Sequence, residues 1–147
     1  MYLHAYTCYS SVRPFGAQAI VGLVDKEGPQ LFMFEPSGVY WGYRACVTGR
    51  GKTFAKVEIE KLDFSQLTCR EGVREMVRIL YACHAEAKDS KDFEVELGWI
   101  CAESGMKHQL VPEALLNEAE EQAKAALLAA MDYEWGATIF GKDDDCN

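Results

Sequence analysis

The stretch CVTGRGKT, residues 46–53, holds the residue types that a phosphate-binding loop uses. Such a loop has the form G-x-x-x-x-G-K-[ST]. Glycine N–H groups wrap the phosphates, the lysine reaches the terminal ones and the hydroxyl meets Mg²⁺. Gly51, Lys52 and Thr53 fit, whereas Cys46 stands where the first glycine belongs. The segment before it reads as the last strand of an antiparallel meander, while phosphate loops follow a parallel strand in a βαβ unit. No apolar strand ending in aspartate follows closely to offer a second metal contact. The stretch therefore reads first as a glycine-rich turn from strand to helix, with nucleotide binding at Gly51, Lys52 and Thr53 as the alternative.

Two further groups bear on chemistry. His4 and Cys8 are four apart and share a face if helical, as a thiol and its base would. The same spacing arises on any helix that packs both residues. Cys83 and His84 are adjacent and point about 100° apart on a helix, a poorer geometry. Glu94, Glu96, Glu118, Glu120 and Glu121 are acids of the kind that hydrolases pair when one is kept protonated in an apolar site. They decorate faces that read as solvated. No catalytic residue, cofactor site or metal ligand is assigned from these residues.

The elements that would hold these groups follow from hydrophobic periodicity. Tyr2, Ala5, Tyr6, Tyr9 and Val12 recur at helical spacing, without a capping residue before them. Arg13-Pro14-Phe15-Gly16 ends that helix, because Pro14 lacks an N–H and disfavours helical geometry at Arg13. AQAIVGLVD (17–25) is apolar at nearly every position, which predicts a strand covered on both faces. KEGPQ turns the chain into a second strand over 30–35, and Glu35-Pro36-Ser37-Gly38 suits a type I turn into a third over 39–48. A helix to about Leu62 places Ala55, Ile59 and Leu62 on one side.

Thr68 and Glu71 form a capping box for the next helix, whose stripe is Val73, Met76, Val77, Leu80, Tyr81 and His84, running to about Lys88. DFEVELGWIC (92–101) alternates, with Phe93, Val95, Leu97, Trp99 and Cys101 opposite Glu94 and Glu96. Ser104-Gly105 turns into a strand over 106–111. Pro112 opens a closing helix with Leu115, Ala119, Ala123, Ala126 and Ala130 in a stripe of mostly small residues. The expected order is helix, three antiparallel strands, two helices, two strands, helix: layered α+β structure instead of a doubly wound parallel sheet.

A chain of 147 residues predicts one domain with one core, and 49% apolar with 26% charged residues is globular composition. A net charge of -8 disfavours phosphate backbones and anionic membrane surfaces. No run of eighteen apolar residues and no basic flank followed by an apolar stretch is present, so neither a membrane span nor a signal peptide is read and a soluble intracellular chain is expected. Six cysteines without a C-x-x-C pair read as reduced thiols.

Several stretches together are more specific than any one site. Arg13 to Gly16 ahead of an apolar strand, Glu35 to Gly38 between two strands, and Ala45 to Gly49 leading into a helix that carries VEIEKL resemble the proteasome α subunits. TCRE opening the next helix and FEVELGWI beyond it resemble them too. The resemblance runs from residue 1 to about 130. It divides the chain into 1–131, the C-terminal portion of an α-subunit domain, and 132–147, a divergent acidic tail.

The resemblance implies an N-terminal-nucleophile hydrolase-like αββα sandwich, incomplete in this chain. It implies a non-catalytic structural subunit of the 20S core. Such a subunit sits in a seven-membered ring with other α subunits, stacks on β subunits and serves ubiquitin-dependent and -independent protein degradation in cytoplasm and nucleus. No cofactor, nucleic acid or membrane partner is implied. Family members carry a turn at the position of residues 46–53 without binding nucleotide. Cleavage belongs to the β subunits, through an amino-terminal threonine that Met1-Tyr2 does not supply. The family's gate-forming tail, pore-side helix, first strands and activator-binding lysine have no counterpart here. Met1 is thus expected to match an internal position of the family's long second helix, and gating and activator docking are not carried over. Such a chain is expected to expose strand edges and apolar faces and to be poorly soluble or oligomeric.

Overall fold

Backbone hydrogen bonding, not burial, organises the first part of the chain. In the computed structural model, described over residues 2–87 and 93–140 with side chains to residue 130, a short helix α1 (Tyr2–Cys8) precedes three strands: β1 (Ala19–Asp25), β2 (Gly28–Phe34) and β3 (Tyr40–Gly42). The strands form one antiparallel sheet in the order β1-β2-β3. Helices α2 (Lys52–Glu60) and α3 (Cys69–Glu86), the strands β4 (Gly98–Trp99) and β5 (Gln109–Leu110), and helix α4 (Glu113–Phe140) follow. This is the expected α+β order. The chain divides into two compact units, residues 1–64 with 100–107, and residues 65–99 with 108–147.

In the first unit, β1 and β2 turn through Lys26 and Glu27, with Asp25 paired to Gly28. Asp25 fixes that turn: its carboxylate accepts the Glu27 N–H at 2.8 Å and the Gln30 side-chain amide at 3.0 Å. The turn is tighter than expected, because Gly28 at φ 110° already belongs to β2. At the other hairpin, Gly38 N–H donates to the Glu35 carbonyl and Glu35 N–H to the Val39 carbonyl, both at 2.9 Å. Gly38 has φ 86°, and a Cβ there would lie 2.9 Å from the Cβ of His4. Glycine is required twice over, by the turn and by the approach of α1.

Two expectations for this unit are corrected. The third strand is only Tyr40–Gly42, not 39–48: after Gly42 the apolar segment Ala45–Val47 bends away to line a hollow beside α2 instead of continuing along β2. And β1 is not covered on both faces. It lies at the sheet edge with Ile20, Val21 and Leu23 40%, 42% and 36% exposed. An apolar run reports a preference for burial, and the chain has to supply the cover separately. Ala55 and Ile59 of α2 are buried as their spacing predicts.

The second unit closes on a core. The expected capping box opens α3: Thr68 Oγ1 accepts the Glu71 N–H at 3.3 Å, and the Glu71 carboxylate accepts the Thr68 N–H at 2.8 Å and its hydroxyl at 2.7 Å. Val73 and Val77 of α3 meet Val111 and Leu115, Ala119 and Ala123 of α4, with Val95, Leu97 and Trp99 against them. The alanines let the two helices approach closely. Ala126 and Ala130, expected in the same stripe, are exposed, and on α3 Ile79 is buried where Leu80 is not. The strand expected over 92–101 reduces, within the described residues 93–101, to a ladder at Gly98–Trp99, joined by a bond from Val111 N–H to the Leu97 carbonyl. Its alternation survives without the ladder, since Val95, Leu97 and Trp99 turn inward for packing and the partner strand is only two residues long.

Candidate functional site

The glycine-rich stretch folds around a hollow of about 770 Å³ within the first unit. Its walls come from Met33 of β2, from Tyr43 and Cys46 of the following loop, and from Lys52, Thr53 and Ile59 of α2. Gly51 caps α2 in the left-handed conformation, φ 76°, without a side-chain bond to the helix. Burial pushes the Cys46 thiol up, so it stays protonated at neutral pH. Thr48 donates to the Gln18 side chain at 2.6 Å, and Lys56 lies 3.8 Å from Glu60 with both exposed.

This is not the geometry of a phosphate loop. Residues 43–51 separate the helix from β3, which is antiparallel to its neighbour, and a cysteine side chain lines the hollow where such a loop needs bare backbone. The three residues Gly51, Lys52 and Thr53 are together at the start of α2, as their sequence proximity requires.

The second pair does meet. Cys8 Sγ lies 3.8 Å from His4 Nε2 on the exposed side of α1. Thr7, the third group there, donates its hydroxyl proton to the His4 carbonyl at 2.6 Å, so it cannot also orient the imidazole by donating to it. Cys83 is half-buried, and its neighbour His84 stacks on Phe93 with ring centroids 4.2 Å apart.

Two of the acids have structural work. Glu118 accepts from Arg74 at 2.9 Å and Glu120 from the Tyr81 hydroxyl at 2.9 Å, so two of the five candidate carboxylates tie α3 to α4. Burial, and then the bond to Glu120, hold the Tyr81 hydroxyl protonated well into the alkaline range. The Lys124 ammonium is favoured first by its bond to Tyr81 and also by Glu120. The i,i+4 spacing of Glu120 and Lys124 is readable in sequence, but the partners across the helix pair are not. Among the described residues no group of three or more His, Cys, Asp or Glu side chains converges as a metal site, and no helix is long and apolar enough to cross a membrane.

Comparison with known proteins supplies what the local chemistry does not. The family described as proteasome subunit matches residues 1–100. The chain belongs to the proteasome subunit family. Its curated relatives include the proteasome subunit alpha type-3 of Acanthamoeba castellanii and that of Arabidopsis thaliana, each 52% identical over 126 residues, 86% of this chain and 50% of the relative. A probable proteasome subunit alpha type-7 of Schizosaccharomyces pombe is 48% identical over 123 residues, 84% of this chain and 48% of the relative. The chain spans about half the length of the curated relatives it matches. The Arg13–Gly16 link, the Glu35–Gly38 turn and the Ala45–Gly49 loop all fall inside the residues that the proteasome family match covers. None of these relatives is named for nucleotide binding, and nothing supports that alternative for Gly51, Lys52 and Thr53.

Proposed function

We propose that this chain acts as a non-catalytic structural subunit of the α ring of the 20S proteasome core, in contact with neighbouring α subunits and with the β ring. The observation that carries this reading is the 52% identity, over 126 residues, to proteins named proteasome subunit alpha type-3 from organisms as distant as an amoeba and a plant. The reading includes an N-terminal-nucleophile hydrolase-like sandwich for residues 1–131 with a divergent acidic tail after it. It also includes a part in ubiquitin-dependent and -independent degradation in cytoplasm and nucleus. Its functional residues are then contact residues, which fits a chain in which Glu118 and Glu120 tie two helices together and Gly38 serves a turn.

The test is assembly. Epitope-tagged chain, expressed in cells and resolved on a native gradient, is expected to co-migrate with the peptidase-active particle of several hundred kilodaltons and to crosslink to its α subunits. Migration at its own size, with the active particle free of tag, would overturn the reading. A purified chain that hydrolyses peptide by itself, and loses that activity in Cys8→Ala, would overturn its non-catalytic part.

A further inference from the structure

β1 is an edge strand of seven residues, and among the described residues no strand pairs with its outer side. Which backbone groups face that side is fixed by β2. The Leu31 carbonyl accepts from Tyr43 N–H at 2.8 Å, so Leu31 turns its backbone toward β3 and its partner on β1, Gly22, turns its own away from β2. By alternation Ile20, Gly22 and Val24 present N–H and C=O groups to the open edge. Natural edge strands are blunted by lysine, proline or a bulge. β1 has none of these: its sequence is AIVGLVD, and it pairs to β2 in unbroken register.

Its sequence also suits one partner in particular. Turned about a two-fold axis at Gly22, β1 faces a second β1 with Gly22 opposite Gly22, Ile20 opposite Val24, Val21 opposite Leu23 and Ala19 opposite Asp25. Apolar residues meet apolar residues on both faces, the only charge meets an alanine, and glycines at the axis remove side-chain crowding. The residues at the axis and two places either side are those whose backbone groups are free, so each of the three pairs Ile20–Val24, Gly22–Gly22 and Val24–Ile20 closes with two hydrogen bonds. The exposure of Ile20, Val21 and Leu23 leaves side chains available to pack in the same contact.

We infer that the isolated chain associates with a second copy of itself through antiparallel β1–β1 pairing about Gly22, extending the three-stranded sheet to six strands. The contact is isologous and therefore closes at two copies.

Sedimentation equilibrium of the full chain over a wide concentration range is expected to fit a reversible monomer–dimer equilibrium. In I20K/V24K the register sets lysine against lysine, and self-association is expected to weaken about tenfold or more. I20K/V24E carries the same loss of apolar surface but sets opposite charges across the axis, and it is expected to dimerise again. I20K/V24K mixed with I20E/V24E is expected to form the heterodimer while neither does so alone. A wild-type chain that stays monomeric, or that grows beyond two copies, would overturn the inference, as would an I20K/V24E variant no better associated than I20K/V24K. An edge taken instead by a strand of another subunit would appear as the first of these outcomes.

Discussion

The two units of the chain are stabilised by different means. The second has a contiguous interior in which Val77 is 0% exposed and Leu115, Ala119 and Ala123 pack beside it. Among the described residues of the first, only Ala55, Ile59, Cys101 and Ser104 are buried, while Tyr2, Tyr40 and Trp41 stand in solvent, Trp41 at 63%. The strands of the first unit are held by turns and ladders: the Asp25 carboxylate at one hairpin, the Glu35–Gly38 bonds at the other, and an unbroken β1–β2 register between. Hydrogen bonds of this kind contribute little net stability each, because they replace bonds to water. Burial contributes more per residue, and it is concentrated in the second unit. Among the described residues the first unit thus keeps much apolar surface open, whereas the second encloses most of the interior.

The sharpest way to break this comparison is to truncate one large apolar residue in each unit. Leu115→Ala is expected to cost about 2–4 kcal/mol of unfolding free energy, since the side chain is buried in the core and α3 and α4 can collapse only partly onto the space. Trp41→Ala removes a larger side chain yet is expected to cost less than about 1 kcal/mol, because most of that surface is already wet. Urea titration followed by helical circular dichroism measures both. Equal costs would show that the first unit has an interior after all. The next effect in size belongs to a turn. Gly38→Ala forces a side chain into a positive-φ position and against His4, and is expected to cost about 1–3 kcal/mol. Hydrogen exchange of α1 and of the β2–β3 turn should quicken together, while the amides of α3 keep their protection.

Much of this architecture was legible from residue types. Thr68 and Glu71 announce the start of α3 because a hydroxyl and a carboxylate three residues apart can satisfy each other's backbone donors. Glu35-Pro36-Ser37-Gly38 announces its turn through a fixed φ and a free one. What local pattern could not convey is the extent of pairing. Residues 43–48 have the composition of a strand, but a strand needs a partner, and the segment leaves β2 after the bond from Tyr43 to Leu31 although β2 runs on to Gly28. The same holds for the exposure of β1: AIVGLVD has the composition of a buried strand, and only the three-dimensional neighbours determine whether it is one. At the candidate site the helical spacing of His4 and Cys8 correctly foretold their meeting. The tie from Glu120 to Tyr81 was hidden because it joins residues far apart in sequence.

An effect smaller than that of Gly38→Ala tests how far the second unit depends on a local device in place of its core. Thr68→Ala removes the side-chain acceptor for the Glu71 N–H and is expected to cost about 1 kcal/mol. It should also change the acid limb of stability. Bonds from the Thr68 backbone and hydroxyl hold the Glu71 carboxyl below its ordinary range, so the folded state favours the ionised form more than the unfolded chain does. A depressed folded-state value contributes stability that is present above the unfolded carboxylate range and is lost as the pH falls through the lower, folded one. In Thr68→Ala the hydroxyl part of that preference is gone. The difference between variant and wild type should therefore be largest near neutral pH and shrink as both are taken into acid. A difference that stays constant down to the acid limit would mean that Thr68 acts on α3 through the Glu71 N–H alone, without the carboxylate.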